Sequence, residues 1–388
     1  MNEFQSSLTN IAALQRPDGF AQEQARLGQV WTCVGTTKAL KDNQSWFRTT
    51  LGGRSIFLQK TRSGLRGFEN RCAHRSYPLR TADNGIGPMV CGFHHWRYDD
   101  DGLALGIPKC LEMYGARPKQ LDAQLTRLDV EECGGLIFAR FAPPGGAPSL
   151  KTYLGATYPV VQAMSAQDQH QRRFVNDVRA NWRLIAHISL DDYHIVAVHP
   201  KSFGKSGYLD PENVSYLQDG WHSAFFSRGG DETMQSVASA CATGTLKPEW
   251  YKTWFVFPNL VLSHVHVLSI GGLSVWYMLA LYYEPIAHDR TRLHVVYQPS
   301  PFSTRGQGVM GIGHDFFERI RSYFVGRSAR TVIAEDNEVC EGLQTNMGTS
   351  DGTVYLASQE KRMRYFEDAY ASALRMKAEN EPRDLARA

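Results

Sequence analysis

The strongest constraint in this sequence is a pair of short loops that each offer one thiol and one imidazole. Residues 72–96 read CAHRSYPLRTADNGIGPMVCGFHHW, so Cys72-x-His74 is followed, after sixteen residues, by Cys91-x-x-His94. Pro78 and Gly85-Ile86-Gly87-Pro88 supply turn chemistry around both loops. Two Cys and two His can close a tetrahedral zinc site. They can also hold a two-iron, two-sulfide cluster, with both Cys on one iron and both His on the other. The Cys-x-His half discriminates between the two. Structural zinc usually separates paired ligands by about two to four residues. A single intervening residue suits ligands that diverge to different irons.

Trp96 and Tyr98 follow the last ligand closely. With them, the segment resembles the cluster-binding motif of Rieske non-haem iron oxygenases. The resemblance implies a Rieske [2Fe–2S] cluster held by Cys72, His74, Cys91 and His94. His95 departs from that pattern, because the family usually carries glycine there, and it reads as a solvated loop histidine.

Such a cluster moves one electron at a time, and the chain has room for a second site that uses the electrons. Residues 181–200 read NWRLIAHISLDDYHIVAVHP. On a regular helix a five-residue step turns about 500°, so His194 and His199 would not share a face. Pro200 disfavours helical geometry at His199, so the helix is expected to end or bulge just before it. Two His and one carboxylate on one face of a metal leave positions open for O2 and substrate. This segment resembles the mononuclear-iron motif of the same family. That resemblance implies His194 and His199 as iron ligands. It also makes Asp191 the acid that links the iron to the Rieske histidine of a neighbouring subunit. Asp192, the competing acid, reads as a solvated helix residue. His187 stands where many relatives have Asn. His187, Asp191 and His194 fall on one helical face, which suits His187 as a hydrogen-bond partner for the site, with a substrate contact or a core histidine as the alternatives. Residues 335–344, EDNEVCEGLQ, resemble the family's third-ligand segment, with Asp336 the matching acid, Glu335 its competitor and Cys340 a packed residue.

The rest of the chain frames these sites. The first 28 residues place Phe4, Leu8, Ile11 and Leu14 at helical spacing, suggesting an N-terminal helical arm. Short apolar runs at 30–34, 54–58, 67–69 and 135–139, punctuated by Gly and Asn, predict a small all-β domain over 29–148. The Pro/Gly-rich stretch 142–148 marks a boundary. Beyond it, helical spacing at 178–198, strands within 250–297 and helical spacing at 315–323 and 329–344 predict an α+β catalytic domain over 149–388. Its antiparallel sheet would be flanked by helices. The apolar run 270–283 is too short to span a bilayer and reads as buried strand.

A net charge of +3 from 42 basic and 39 acidic residues gives no footprint for nucleic acid or an anionic membrane. Seven cysteines argue against a disulfide scaffold and for a soluble protein of a reducing, cytoplasmic compartment. Residues 306–311 satisfy G-x-G-x-x-G, but a polar, proline-containing loop separates them from the preceding strand, so no dinucleotide site is expected. His264 and His266 would share one strand face.

Taken with the resemblance, the cofactors expected are the cluster and a mononuclear Fe(II). The partners implied are an NAD(P)H-dependent reductase or ferredoxin, a small substrate with O2, and further copies in a homotrimer, with or without a β subunit. Residues 359–366, QEKRMRYF, resemble aromatic ring-hydroxylating α subunits, so the resemblance implies mono- or cis-dihydroxylation of an aromatic compound or aromatic acid. Oxidative demethylation of a quaternary amine is the alternative, and a pure electron carrier a further one.

Overall fold

A computed structural model describes residues 5–7, 16–143, 146–200, 214–228, 230–247, 249, 251–270, 273–300, 312–347 and 353–376. The chain forms two compact units, one from Glu23–Leu150 and one from Lys151–Met376 with the first residues of the chain.

The first unit is built of short antiparallel strands: β1 (Thr32–Thr36), β2 (Ser45–Leu51), β3 (Arg54–Thr61), β4 (Gly64–Glu69), β5 (Asn84–Ile86), β6 (Arg97–Tyr98), β7 (Ala104–Gly106), β8 (Leu128–Cys133) and β9 (Leu136–Phe141). They form sheets of order β4-β3-β2-β5, β1-β9-β8 and β6-β7. The observed strands overlap the expected runs and extend past them. Gly52 and Gly53 join β2 to β3, and φ values of 59° and 71° explain why glycine stands at both turn positions. Side-chain alternation lets β3 feed two cores. Ile56 and Leu58 pack with Val34 and Ile137. Phe57, between them, packs with Phe68, Cys72, Cys91 and Trp96. The cluster loops therefore rest on a core shared with the sheet.

The second unit carries a seven-stranded antiparallel sheet. Its strands are β10 (Arg172–Val178), β11 (Ser215–Asp219), β12 (His222–Phe226), β13 (Lys252–Val256), β14 (Leu260–Ile270), β15 (Leu273–Ala287) and β16 (Arg290–Pro299), in the order β10-β16-β15-β14-β13-β12-β11. Four helices matter for the site: α1 (Trp182–Leu190), α2 (Ile195–Val198), α3 (Ile312–Met347) and α4 (Lys361–Arg375). The fold is α+β, a small β unit followed by an antiparallel sheet with helices.

Three expectations are corrected. The segment 178–198 is not one helix, because Asp191 takes φ −86°, ψ 106° and ends α1. The two helical stretches at 315–323 and 329–344 are one continuous helix, α3. The N-terminal arm is not helical throughout: Gln5–Ser7 is a strand held by pairing with Thr353–Tyr355, and only Pro17–Leu27 is helical among its described residues. The apolar run 270–283 is strand for most of its length, as expected, and largely buried from Trp276 on: Ile270 ends β14, and 273–283 lies within β15. Phe4, Leu8, Ile11, Leu14, the 306–311 glycine motif and the tail from 377 lie outside the described residues. Among the described residues no helix is long and apolar enough to cross a membrane.

Candidate metal centres

The two cluster loops are built alike. Cys72 N donates to Tyr77 O and Ser76 N to Cys72 O, both at 2.9 Å. In the second loop Cys91 N donates to Trp96 O at 2.9 Å and His95 N to Cys91 O at 3.0 Å. Ser76 and His95 stand at equivalent places, each with φ 59°. That left-handed conformation explains why glycine is the easier residue at position 95, and His95 itself is exposed. The loops bring Cys72 and Cys91 to 3% and 1% exposure. The His74 and His94 rings lie 4.6 Å apart, and His74 stacks on Trp96 at 4.8 Å. His74 Nδ1 is buried with no hydrogen-bond partner, while Nε2 turns outward to Tyr114 Oη at 3.4 Å. Tyr98 Oη accepts from Ala73 N at 3.1 Å, so its own proton is free to point at Cys72 Sγ, 3.0 Å away. Two buried sulfurs and an inward ring nitrogen without a donor fit a cluster bound at this tip.

The second centre lies in the catalytic unit, where α1 breaks. Asp191 Oδ1 accepts from Tyr193 N at 2.8 Å and His194 N at 3.1 Å, starting a new turn that leads into α2. His194 Nδ1 lies 2.6 Å from Asp191 O, and a carbonyl only accepts, so the proton is on Nδ1. His199 Nδ1 lies 2.7 Å from Glu335 Oε2, which fixes its proton in the same way. Both Nε2 lone pairs therefore face inward, 3.3 Å apart. Asp336 Oδ1 meets them, 3.0 Å from His199 Nε2 and 3.4 Å from His194 Nε2. That oxygen is buried and has no hydrogen-bond donor. Two ring nitrogens and a carboxylate oxygen converging this closely suit a shared cation, and two imidazoles with one carboxylate are the donor set of a non-haem iron site. Burial lowers the basicity of both imidazoles, but Asp336, with Asp191 or Glu335, outweighs it and raises both pKa values. Burial acts on Asp336 in the opposite sense, and the imidazoles still hold its carboxyl below the usual range.

Helices α3 and α4 grip the ligand segment. From α3, Glu341 takes Arg179 through its side chain (2.8 Å) and backbone N–H (3.1 Å), Gln344 accepts from Asn181 N (2.8 Å), and Cys340 packs under Leu184 O. From α4, Glu367 accepts from Arg183 Nη2 (2.7 Å) and sits 2.8 Å from His187 Nε2. Arg362 holds Asp192 with two bonds, 2.7 and 3.1 Å. Asp192 is 2% exposed, so it is a buried ion-pair partner and not a solvated residue. His187 is turned to Glu367 and is absent from the lining of the metal-facing cavity, so the shared-face expectation for it fails. The ion-pairing roles of Arg183, Arg362 and Glu367 escaped the sequence reading. Their one signal is placement: Arg362 and Glu367 lie on the apolar face of α4 with Met363, Phe366 and Tyr370.

A cavity of about 370 Å³ opens over the three ligand atoms. Ile188, Val261, Val265, Leu279, Leu281 and Val332 line it, with Tyr251, Ser263, His266 and Ser328 as polar points. His264 turns away, stacking on Trp276 at 4.8 Å and meeting Ser300 Oγ at 2.8 Å. A register shift between His266 and Leu268 bends β14 where His266 reaches the cavity.

Residues 30–115 match the Rieske [2Fe–2S] domain, and residues 166–376 match the ring hydroxylating alpha subunit (catalytic domain). The chain is 25% identical over 198 residues to the large subunit of anthranilate 1,2-dioxygenase from Burkholderia cepacia, covering 46% of this chain and 45% of that one. It is 28% identical over 198 residues to the oxygenase subunit of carnitine monooxygenase from Escherichia coli (strain K12), covering 50% of each. The match spans about half the length of both relatives. Naphthalene 1,2-dioxygenase from Rhodococcus sp. shares the fold, with TM-score 0.69, 19% identity and coverage of 94% and 93%. The chain belongs to the ring hydroxylating alpha subunit family, and its cofactors are a Rieske [2Fe–2S] cluster and a mononuclear iron.

Proposed function

We propose that this chain is the oxygenase component of a multicomponent Rieske system, hydroxylating an uncharged, largely apolar substrate with O2 and electrons from a reductase or ferredoxin. The observation that carries this reading is the meeting of His194 Nε2, His199 Nε2 and Asp336 Oδ1 beneath an aliphatic cavity. In it, Cys72, His74, Cys91 and His94 hold the cluster, and His194, His199 and Asp336 hold the iron. When bound, the cluster supplies electrons singly and the iron activates O2. The chain's own residues do the rest. Asp191 O and Glu335 Oε2 keep the two Nδ1 protons away from the metal side. The aliphatic lining excludes water and orients an apolar ring, and Ser263 and His266 offer it one polar anchor. Asp191, half-open to solvent at the break in α1, is the acid proposed to carry electrons from the cluster of a neighbouring subunit, in a homotrimer.

The relatives point to two substrate classes. Lining chemistry favours the neutral one. Tyr251 is the only Phe, Tyr or Trp ring among the described lining residues, and a quaternary ammonium is ordinarily held by several. Asp192, an acid at the wall, is already neutralised by Arg362. Apart from histidines, no cationic side chain lines the cavity among the described residues, which disfavours an aromatic acid.

Metal and acid-labile sulfide analysis of anaerobically purified protein tests the first step, with about three irons and two sulfides per chain expected. Zinc without sulfide refutes it. Substrate-dependent O2 uptake with a surrogate reductase tests the second. Coupled turnover of neutral aromatics supports the reading, whereas turnover confined to quaternary amines transfers it to oxidative demethylation.

A further inference from the structure

We propose that Glu335 is a positioning residue that fixes His199 as a metal ligand, so that the adjacent acids Glu335 and Asp336 divide the two nitrogens of one imidazole between them. The inference rests on His194, His199 and Asp336 holding the iron. Asp336 Oδ1 lies 3.0 Å from His199 Nε2, and Glu335 Oε2 lies 2.7 Å from His199 Nδ1. One turn of α3 therefore addresses both edges of the ring.

His199 needs this support more than His194 does. It closes a helix of only four residues, with φ −111° and ψ 42° at its own position. A neutral imidazole can carry its proton on either nitrogen, and the partner of the outer nitrogen decides which. For His194 that partner is a backbone carbonyl, Asp191 O at 2.6 Å, which no substitution removes. For His199 it is a side chain. A carboxylate there holds the proton on Nδ1, orients the ring and makes Nε2 a stronger donor to the metal. Glu335 is 30% exposed, so shortening it opens no core cavity and leaves the fold intact.

The test uses full-length protein that keeps its cluster, stripped of mononuclear iron by a chelator. Cobalt(II) is titrated back and followed by its visible bands, in wild type, Glu335→Ala and Glu335→Gln. In Glu335→Ala the cobalt affinity should fall about 10- to 100-fold, with altered band intensities and an unchanged melting midpoint. Glu335→Gln, which keeps an acceptor, should recover part of the loss. Wild-type affinity and bands in Glu335→Ala overturn the proposal. A loss of affinity that merely follows a loss of thermal stability also overturns it. Wild-type protein that takes up no cobalt refutes the metal-site reading itself, and this inference falls with it.

Discussion

Replacing Glu367 by Gln should strip a buried charge from α4 and leave its volume nearly unchanged. In the wild type both carboxylate oxygens lie 2.7 Å from Arg183 Nη2, and one lies 2.8 Å from His187 Nε2. The Arg183 side chain is 1% exposed and that of Glu367 10%, so water cannot stand in for the lost partner. Arg183 stays charged, its guanidinium stacked over Tyr370 at 4.0 Å. Breaking one side of a buried pair costs about 3–5 kcal/mol. A second route gives a similar size. Burial alone would raise the Glu367 pKa, but His187 and Arg183 outweigh it and bring it from 4.5 down to about 2. That fall corresponds to about 3 kcal/mol. The sign follows from the direction: a carboxylate whose folded pKa is depressed stabilises above pH 4.5, and the benefit is lost as pH falls through about 2. About half should remain near pH 3. Scanning calorimetry of the full chain should place the Glu367→Gln transition of the catalytic unit about 6–12 °C lower at neutral pH. The gap should narrow between pH 5 and pH 3. A shift below about 2 °C, or one that does not change with pH over that range, would show that Glu367 is not the counter-charge of Arg183.

Asp192→Asn should cost about 3–5 kcal/mol by stranding Arg362, whereas the double change Asp192→Leu with Arg362→Met should regain most of it in chemical denaturation. A double variant as unstable as the single one would refute the pairing. Gly326→Ala should destabilise by about 1–3 kcal/mol, because its Cβ would overlap Tyr297 Oη where β16 touches α3. Tyr297→Phe in the same chain should relieve part of that cost, and a Gly326→Ala protein that melts like wild type excludes a tight contact.

Much of this molecule can be read from its sequence because its metal-type side chains come in local groups. Cys72 with His74, Cys91 with His94, and His194 with His199 are each set by one loop or one short helix. Their convergence needs only the tight turns visible between them. Helical periodicity fails at Asp191, where the side chain captures the N–H groups of Tyr193 and His194 and ends α1. His187 then no longer shares a face with the ligands. The choice between Asp191 and Asp192 is also invisible locally, since the two acids are adjacent and alike. What separates their surroundings is Arg362, 170 residues further on, which holds Asp192 in a buried ion pair. Helix α3 read as two pieces because Gly326 and Ser328 weaken its middle, and packing of Val325, Ala329 and Ile333 carries it through. The division of labour between Glu335 and Asp336 needed the side-chain geometry.

The grip of α3 and α4 on the ligand segment also sets an order of events during synthesis. The two loops holding Cys72, His74, Cys91 and His94 are complete once residue 98 has left the ribosome, and the sheets beneath them close by residue 141. Asp336 follows His94 by 242 residues, the difference of their positions. At about 5–20 residues per second that is a lag of roughly 12–50 s. The clamps Arg362 and Glu367 emerge later still. A nascent chain can thus be competent for its iron–sulfur cluster well before it has the Asp336 carboxylate that meets His194 and His199. The cluster unit is positioned to mature first, and His194, His199 and Asp336 can meet only when the residues of α3 have been made, with Arg362 and Glu367 following to hold the segment around them.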